Sequence, residues 1–141
     1  LDTSANPFDP DSPEFMDKFE KLMEVTDLVM LDIKEMDPEK HKALTGQTNE
    51  NILALADWLS DHGKAMWIRH VLVPDLTDDE EGLRALRVKL DQWTSVERVE
   101  ILPYHTLGLF KWENLGIVYP LEGVRTPTLE EVEKAEKILG I

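Results

Sequence analysis

The sequence predicts an α/β fold with parallel strands, of the kind that forms the second half of an α/β barrel, open at one edge. Three observations predict it. In DLVMLDIK, Asp27 to Lys34, the apolar residues Val29, Leu31 and Ile33 alternate with Met30, Asp32 and Lys34, and strand side chains alternate between faces. Ala65 to Val73 is a nearly continuous apolar run broken only by Arg69 and His70, which suits a parallel strand covered on both sides. Between and after these runs lie apolar stripes at helical spacing, so the order reads strand end, helix, strand, helices, strand, helix, strand, helix. Three full strands and a remnant cannot close a barrel, and an open edge needs a partner.

Each element has a local reason. Leu1-Asp2-Thr3 reads as the tail of a strand already under way, and with no initiating Met the chain is expected to be a piece of a larger protein. Asn6 to Pro13 holds three prolines among Asp, Asn and Ser and is a loop. Ser12-Pro13-Glu14 is a helix start, with Phe15, Phe19, Leu22 and Met23 as the buried stripe. After the Asp27–Lys34 strand, Asp37-Pro38-Glu39 starts a short helix that ends at Thr45-Gly46, where Gly suits a left-handed cap. Ile52, Leu55, Ala56 and Leu59 mark the next helix, closed by Gly63. Pro74 to Thr77 ends the Ala65–Val73 strand, and Thr77 with Glu80 fits a capping box. Leu83, Leu86, Leu90 and Trp93 form the following stripe, and Val96 to Leu102 is the next strand, ending in Leu102 to His105. Leu107 to Tyr119 mixes Gly108, Gly116, Phe110 and Trp112 and reads as a docking segment. Thr128 caps a last helix with the stripe Leu129, Val132, Ala135 and Leu139.

Composition narrows the function. The chain has 141 residues, 42% of them hydrophobic, enough for one core. Its formal charge of −14 argues against nucleic acid and against an anionic membrane surface as partners. No apolar run approaches a transmembrane length. Cysteine is absent, so the chain offers neither a disulfide nor a thiolate metal ligand.

The chemistry-bearing residues gather at strand C-terminal ends, where α/β sheets and barrels bind ligands. They are Asp2 and Thr3, then Asp32 and Lys34, then Arg69, then His105. Two cations can hold a carboxylate, while Asp2 or Asp32 can hold an amine or ribose hydroxyls. Arg69 in an apolar strand needs an anion, which a structural carboxylate or a ligand can supply. Asp32 and Lys34 are equally readable as an internal pair that orders the sheet, and His105 as a loop hydrogen-bonder. A strand-end Lys also suits Schiff-base chemistry, so a barrel aldolase using Lys34, with Arg69 on a phosphate or carboxylate, stands beside a non-catalytic α/β module.

Four blocks carry a resemblance: LDTSA (Leu1 to Ala5), VTDLVMLDIKEMD (Val25 to Asp37), WIRHVLVPDLTDD (Trp67 to Asp79) and ILPYHTLGLFKW (Ile101 to Trp112). In order and spacing they resemble the second half of the pyruvate formate-lyase activating enzymes, radical S-adenosylmethionine (radical SAM) proteins. The resemblance implies that residues 1–141 form a single α/β unit, the C-terminal half of a partial (β/α)6, TIM-like radical SAM barrel. It implies two cofactors, S-adenosylmethionine (SAM) and a [4Fe–4S] cluster. It implies reductive cleavage of SAM and abstraction of a glycine hydrogen from pyruvate formate-lyase or another glycyl-radical enzyme. A flavodoxin- or ferredoxin-type electron donor and an anaerobic cytoplasm go with that reaction. By the same resemblance Asp2 lies near the methionyl amino group, and Lys34 and Arg69 handle the carboxylate or nearby ribose. Asp32 meets the ribose or joins Asp2, Thr3 and the Met30 backbone in a monovalent-cation site, and Val71, Leu102 and His105 surround the adenine. This sequence departs from the family in lacking its CxxxCxxC cluster motif and its Gly-Gly-Glu segment. Ser4-Ala5 also stands where the family has Asn-Gly, removing a Gly from a turn. The chain alone is therefore expected to hold no cluster through thiolates and to be inactive.

Overall fold

The computed structural model describes residues 1–141. Ten elements follow in chain order: β1 (Asp2–Thr3), α1 (Pro13–Glu24), β2 (Val29–Asp32), α2 (Pro38–Thr45), α3 (Glu50–Asp61), β3 (Met66–Leu72), α4 (Glu80–Gln92), β4 (Val96–Pro103), α5 (Leu109–Leu115) and α6 (Leu129–Leu139). The strands form one sheet in the order β1-β2-β3-β4, and every neighbouring pair is parallel. Spatial order follows sequence order without reversal, as in a barrel wall and unlike a doubly wound sheet, where the order turns back.

One face of the sheet carries the core. Val29, Leu31 and Ile33 near β2 and Met66, Ile68 and Leu72 of β3 are buried against Phe19 and Met23 of α1, the α3 stripe Ile52, Leu55, Ala56 and Leu59, Leu83, Leu86 and Leu90 of α4, and Ala135 and Leu139 of α6. The alternate residues Met30, Asp32, Trp67, Arg69 and Val71 are only half-buried. The alternation around Asp32 thus divides the strand as the sequence predicts. The Ala65–Val73 run does not: it is covered on its outer face alone. On its other face Arg98 of β4 lies over the Trp67 ring, 5.0 Å from its centre, so a cation partly shields that aromatic on the face that was expected to be covered.

Helix boundaries follow the caps with one exception. Ser12 accepts from the Phe15 N–H, Asp37 from those of Glu39 and Lys40, and Gly46 closes α2 at φ 84°. Thr128 and Glu131 form a reciprocal capping box on α6. Thr77, expected to cap α4, does not; Asp79 does, accepting from the Gly82 N–H at 3.0 Å. The Thr77 hydroxyl is committed elsewhere, donating to the Val71 carbonyl at 2.6 Å and accepting from the Val73 N–H at 2.8 Å. Leu22 and Leu129, placed in stripes by spacing, are exposed. Leu107 to Tyr119 contains the short helix α5, which leaves Leu107, Phe110, Leu115 and Val118 exposed. A 2.7 Å hydrogen bond between the Tyr104 and Tyr119 hydroxyls ties this segment to the end of β4. The turn after β1 places Ala5 at φ 56°, a left-handed conformation that glycine adopts at less cost.

Candidate functional site

Register brings the expected residues together. Asp2 pairs with Met30, Asp32 with Arg69, Arg69 with Glu100, and Val71 with Leu102. Neighbours in a parallel ladder share a face, so the half-buried side of the sheet carries successive rows: Asp2, Met30, Trp67 and Arg98; then Asp32, Arg69 and Glu100; then Val71 and Leu102.

Arg69 is the centre. Its Nε donates to Asp32 Oδ1 at 2.8 Å, and Nη2 lies 2.7 Å from the same oxygen. Its Nη1 donates to Asp2 Oδ2 at 2.9 Å, and Nη2 also bonds Asp2 Oδ1. Lys34 Nζ reaches the other Asp32 oxygen at 3.4 Å, a looser contact. The side chain of Arg69 is 17% exposed and that of Asp32 22%, whereas Asp2 stands 54% in solvent. Asp2, and then Asp32, raise the pKa of the guanidinium further against the opposing effect of burial. The anion that Arg69 needs is therefore the protein's own pair of carboxylates. The result is a ledge of two anions and two cations where β1 and β2 end; Arg69, expected at a strand end, instead lies in the middle of β3, where the ladder sets it beside Asp32.

Lys34 is held by its backbone. The Glu35 side chain, 3% exposed with its residue, turns back so that Oε1 accepts from the Met36 and Asp37 N–H groups at 2.7 and 3.0 Å. Buried Asn49 donates from Nδ2 to the carbonyls of Glu35 and Met36, both at 2.8 Å. Sequence reading passed over Glu35 and Asn49, because both act through main-chain groups and carry no motif of their own. Lys34 also borders a polar hollow of about 210 Å³ shared with Ser4, Asn6, His41 and Gln47.

Beyond the ledge, Val71, Leu102, Pro103, Tyr104 and His105 line an open hollow of about 420 Å³. The three residues expected to surround a planar base therefore share one surface, with His105 exposed at its rim. The residues expected to bind a monovalent cation are otherwise engaged. Both Asp2 and Asp32 bond Arg69, and the Thr3 hydroxyl accepts from the Ala5 N–H at 2.9 Å. A larger cavity, about 630 Å³, lies between Lys40, Leu76, Asp79 and Leu121 and shares no residue with the ledge. The chain has no cysteine, so none of its residues fits thiolate ligation of an iron–sulfur cluster. No helix is long and apolar enough to cross a membrane.

Comparison with known proteins gives three findings. Residues 1–86 match the family model described as the Radical SAM superfamily. The pyruvate formate-lyase-activating enzyme of Streptococcus mutans is 55% identical over 139 residues, 99% of this chain and 52% of that protein. The enzyme of the same name from Listeria monocytogenes is 50% identical over 127 residues, 90% of this chain and 51% of that protein. The chain thus spans about half the length of the curated relatives it matches. Among solved structures, a domain of pyruvate-formate lyase-activating enzyme from Bacteroides vulgatus superposes with a TM-score of 0.73 at 22% identity, covering 99% of this chain and 73% of that one, which establishes a shared fold.

Proposed function

The chain belongs to the radical SAM superfamily, and on that premise we propose that the whole protein containing it activates pyruvate formate-lyase or another glycyl-radical enzyme. It does so by reductive cleavage of SAM to methionine and a 5′-deoxyadenosyl radical, which takes a hydrogen atom from a glycine of the partner. The observation that carries this reading is the convergence of Asp2, Asp32, Lys34 and Arg69 on one ledge, next to the hollow of Val71, Leu102 and His105.

The part of these residues is binding and orientation. Lys34 and Arg69 receive the methionyl carboxylate or the nearby ribose, Asp2 the methionyl ammonium, and Asp32 the ribose. Each new pair replaces one the protein already makes, so little extra desolvation is needed. Val71 and Leu102 cover a face of the adenine and His105 its edge. A monovalent cation on Asp2, Thr3, the Met30 carbonyl and Asp32 competes with Arg69 for both carboxylates, so Arg69 must turn toward the SAM carboxylate for the cation to enter. No side chain here acts as acid or base. A [4Fe–4S] cluster would supply the electron for cleavage; this cysteine-free chain has no thiolate to hold it, so its ligands would have to come from residues outside this chain. A flavodoxin- or ferredoxin-type donor and an anaerobic cytoplasm complete the proposal.

The test uses the full-length protein, reconstituted anaerobically with iron and sulfide and mixed with SAM and a strong reductant. Release of 5′-deoxyadenosine, and a glycyl-radical signal on added pyruvate formate-lyase, are expected. A cluster-loaded protein that releases no 5′-deoxyadenosine contradicts the proposal.

A further inference from the structure

The β2–β3 ladder ends in an unusual way. The Ile33 N–H still donates to the Arg69 carbonyl at 2.9 Å. The next rung of a parallel ladder joins the Ile33 carbonyl to the Val71 N–H. That backbone bond is not made. Instead the Ile33 carbonyl lies 2.9 Å from Nδ1 of His70, a residue only 4% exposed. The other ring nitrogen, Nε2, lies 2.8 Å from the Thr77 carbonyl. A carbonyl only accepts, so the imidazolium serves both oxygens at once and the neutral ring serves one. One buried ring therefore joins the end of β2 to the loop that follows β3, at the residue immediately before Lys34.

We propose that His70 is a positioning residue for SAM binding: its ring replaces the missing rung, turns the chain out of the sheet at Ile33, and thereby aims Lys34 at the ledge. The inference rests on the reading of the ledge as a SAM site. Three features carry it. Lys34 has only a 3.4 Å contact to hold its head, so its aim depends on the backbone at its base. That backbone is fixed after Lys34 by Glu35 and Asn49 and before it by His70. His70 itself faces away from the ledge, among core residues, and cannot touch a ligand there.

The experiment measures SAM-dependent release of 5′-deoxyadenosine by the full-length reconstituted protein, with KM and kcat determined separately. His70→Phe keeps an aromatic ring and removes both ring nitrogens. It is expected to raise the KM for SAM about tenfold and leave kcat at saturation within about twofold, the signature of lost ground-state placement. His70→Gln, which keeps an amide donor, is expected to recover most of the loss. On a Lys34→Ala background His70→Phe is expected to add nothing further, because the side chain it positions is gone. An unchanged KM overturns the proposal. So does a full tenfold effect on the Lys34→Ala background, or loss of folding in both His70 variants, which assigns the residue to stability alone. A wild-type protein that loads a cluster but does not cleave SAM overturns the functional reading instead.

Discussion

Replacing Arg69 by Met keeps most of the side-chain volume and removes the cation at the centre of the ledge. The expected cost follows from its partners. Toward Asp32, mostly shielded from solvent, the guanidinium makes charge-assisted contacts at 2.7 and 2.8 Å; such bonds contribute about 1.5–3 kcal/mol each when isolated, but two on one oxygen are not additive, so about 2 kcal/mol is a fair value. Toward Asp2, half in solvent, the pair contributes about 0.5 kcal/mol. The sum, about 2.5 kcal/mol, is below the 3–5 kcal/mol typical of a broken buried pair, because Lys34 remains near Asp32. For a chain of this size it lowers the melting temperature by on the order of 10 °C. Urea unfolding of the 141-residue chain at neutral pH, followed by circular dichroism, measures it alongside Asp32→Asn and Asp2→Asn. The expected order of loss is Arg69→Met, then Asp32→Asn, then Asp2→Asn, with the Asp2 effect fading first as salt is added. An Arg69→Met chain as stable as wild type, or more stable, refutes the reasoning: the four charges would then be held together under strain, with no net favourable pairing.

Other consequences concern substitutions outside the four ledge residues. Gly82→Ala in the first turn of α4 is expected to cost about 1 kcal/mol despite the better helix propensity of Ala, because its Cβ meets Asp79 Oδ2 and Glu35 Oε1 at 3.2 Å and buried Glu35 is already tied to two N–H groups; stabilisation in a urea titration would show that the Glu35 loop yields. Glu131, bonded by Arg125 first and then by the Thr128 N–H, has its pKa lowered from 4.5 to about 2. Its contribution is therefore complete above about pH 4.5 and is lost as pH falls toward 2, so Glu131→Gln is expected to flatten the acid limb of stability in that window; an unchanged limb measured by circular dichroism contradicts this. Burial, then the hydrogen bond shared with the Tyr104 hydroxyl, pushes Tyr119 up to about 12. Stability from the neutral hydroxyl is present below pH 10 and lost as pH rises through 12, and an alkaline absorbance titration should show a late tyrosine phase that Tyr119→Phe abolishes.

What could be read before the structure depended on the range of the interaction. Pro38 and Gly46 bound α2 because caps act within a turn, and the alternation about Asp32 sorted a strand because a pleat has two sides. Arg69 announced the need for an anion, but whether a ligand or the chain supplied it depended on register: only the pairing of Asp2 with Met30 and of Asp32 with Arg69 places both carboxylates on the guanidinium. Thr77 misled for the same reason. Its spacing from Glu80 fits a capping box, yet its hydroxyl closes the turn after β3, and Asp79 caps the helix instead. Glu35, Asn49 and His70 were silent because their partners are main-chain groups; for Asn49 and His70 these lie 13 to 37 residues away or across a loop, and no side-chain pattern records such bonds.

The measurement closest to the central claim is a crystal structure of the full-length protein, reconstituted anaerobically and soaked with SAM. The methionyl group is expected on Lys34, Arg69 and Asp2, with at least one Arg69–carboxylate pair exchanged for a contact to the ligand, and the adenine in the hollow of Val71, Leu102 and His105. SAM bound with Asp2, Asp32 and Arg69 still paired to one another, and its adenine away from Val71 and Leu102, would contradict the account.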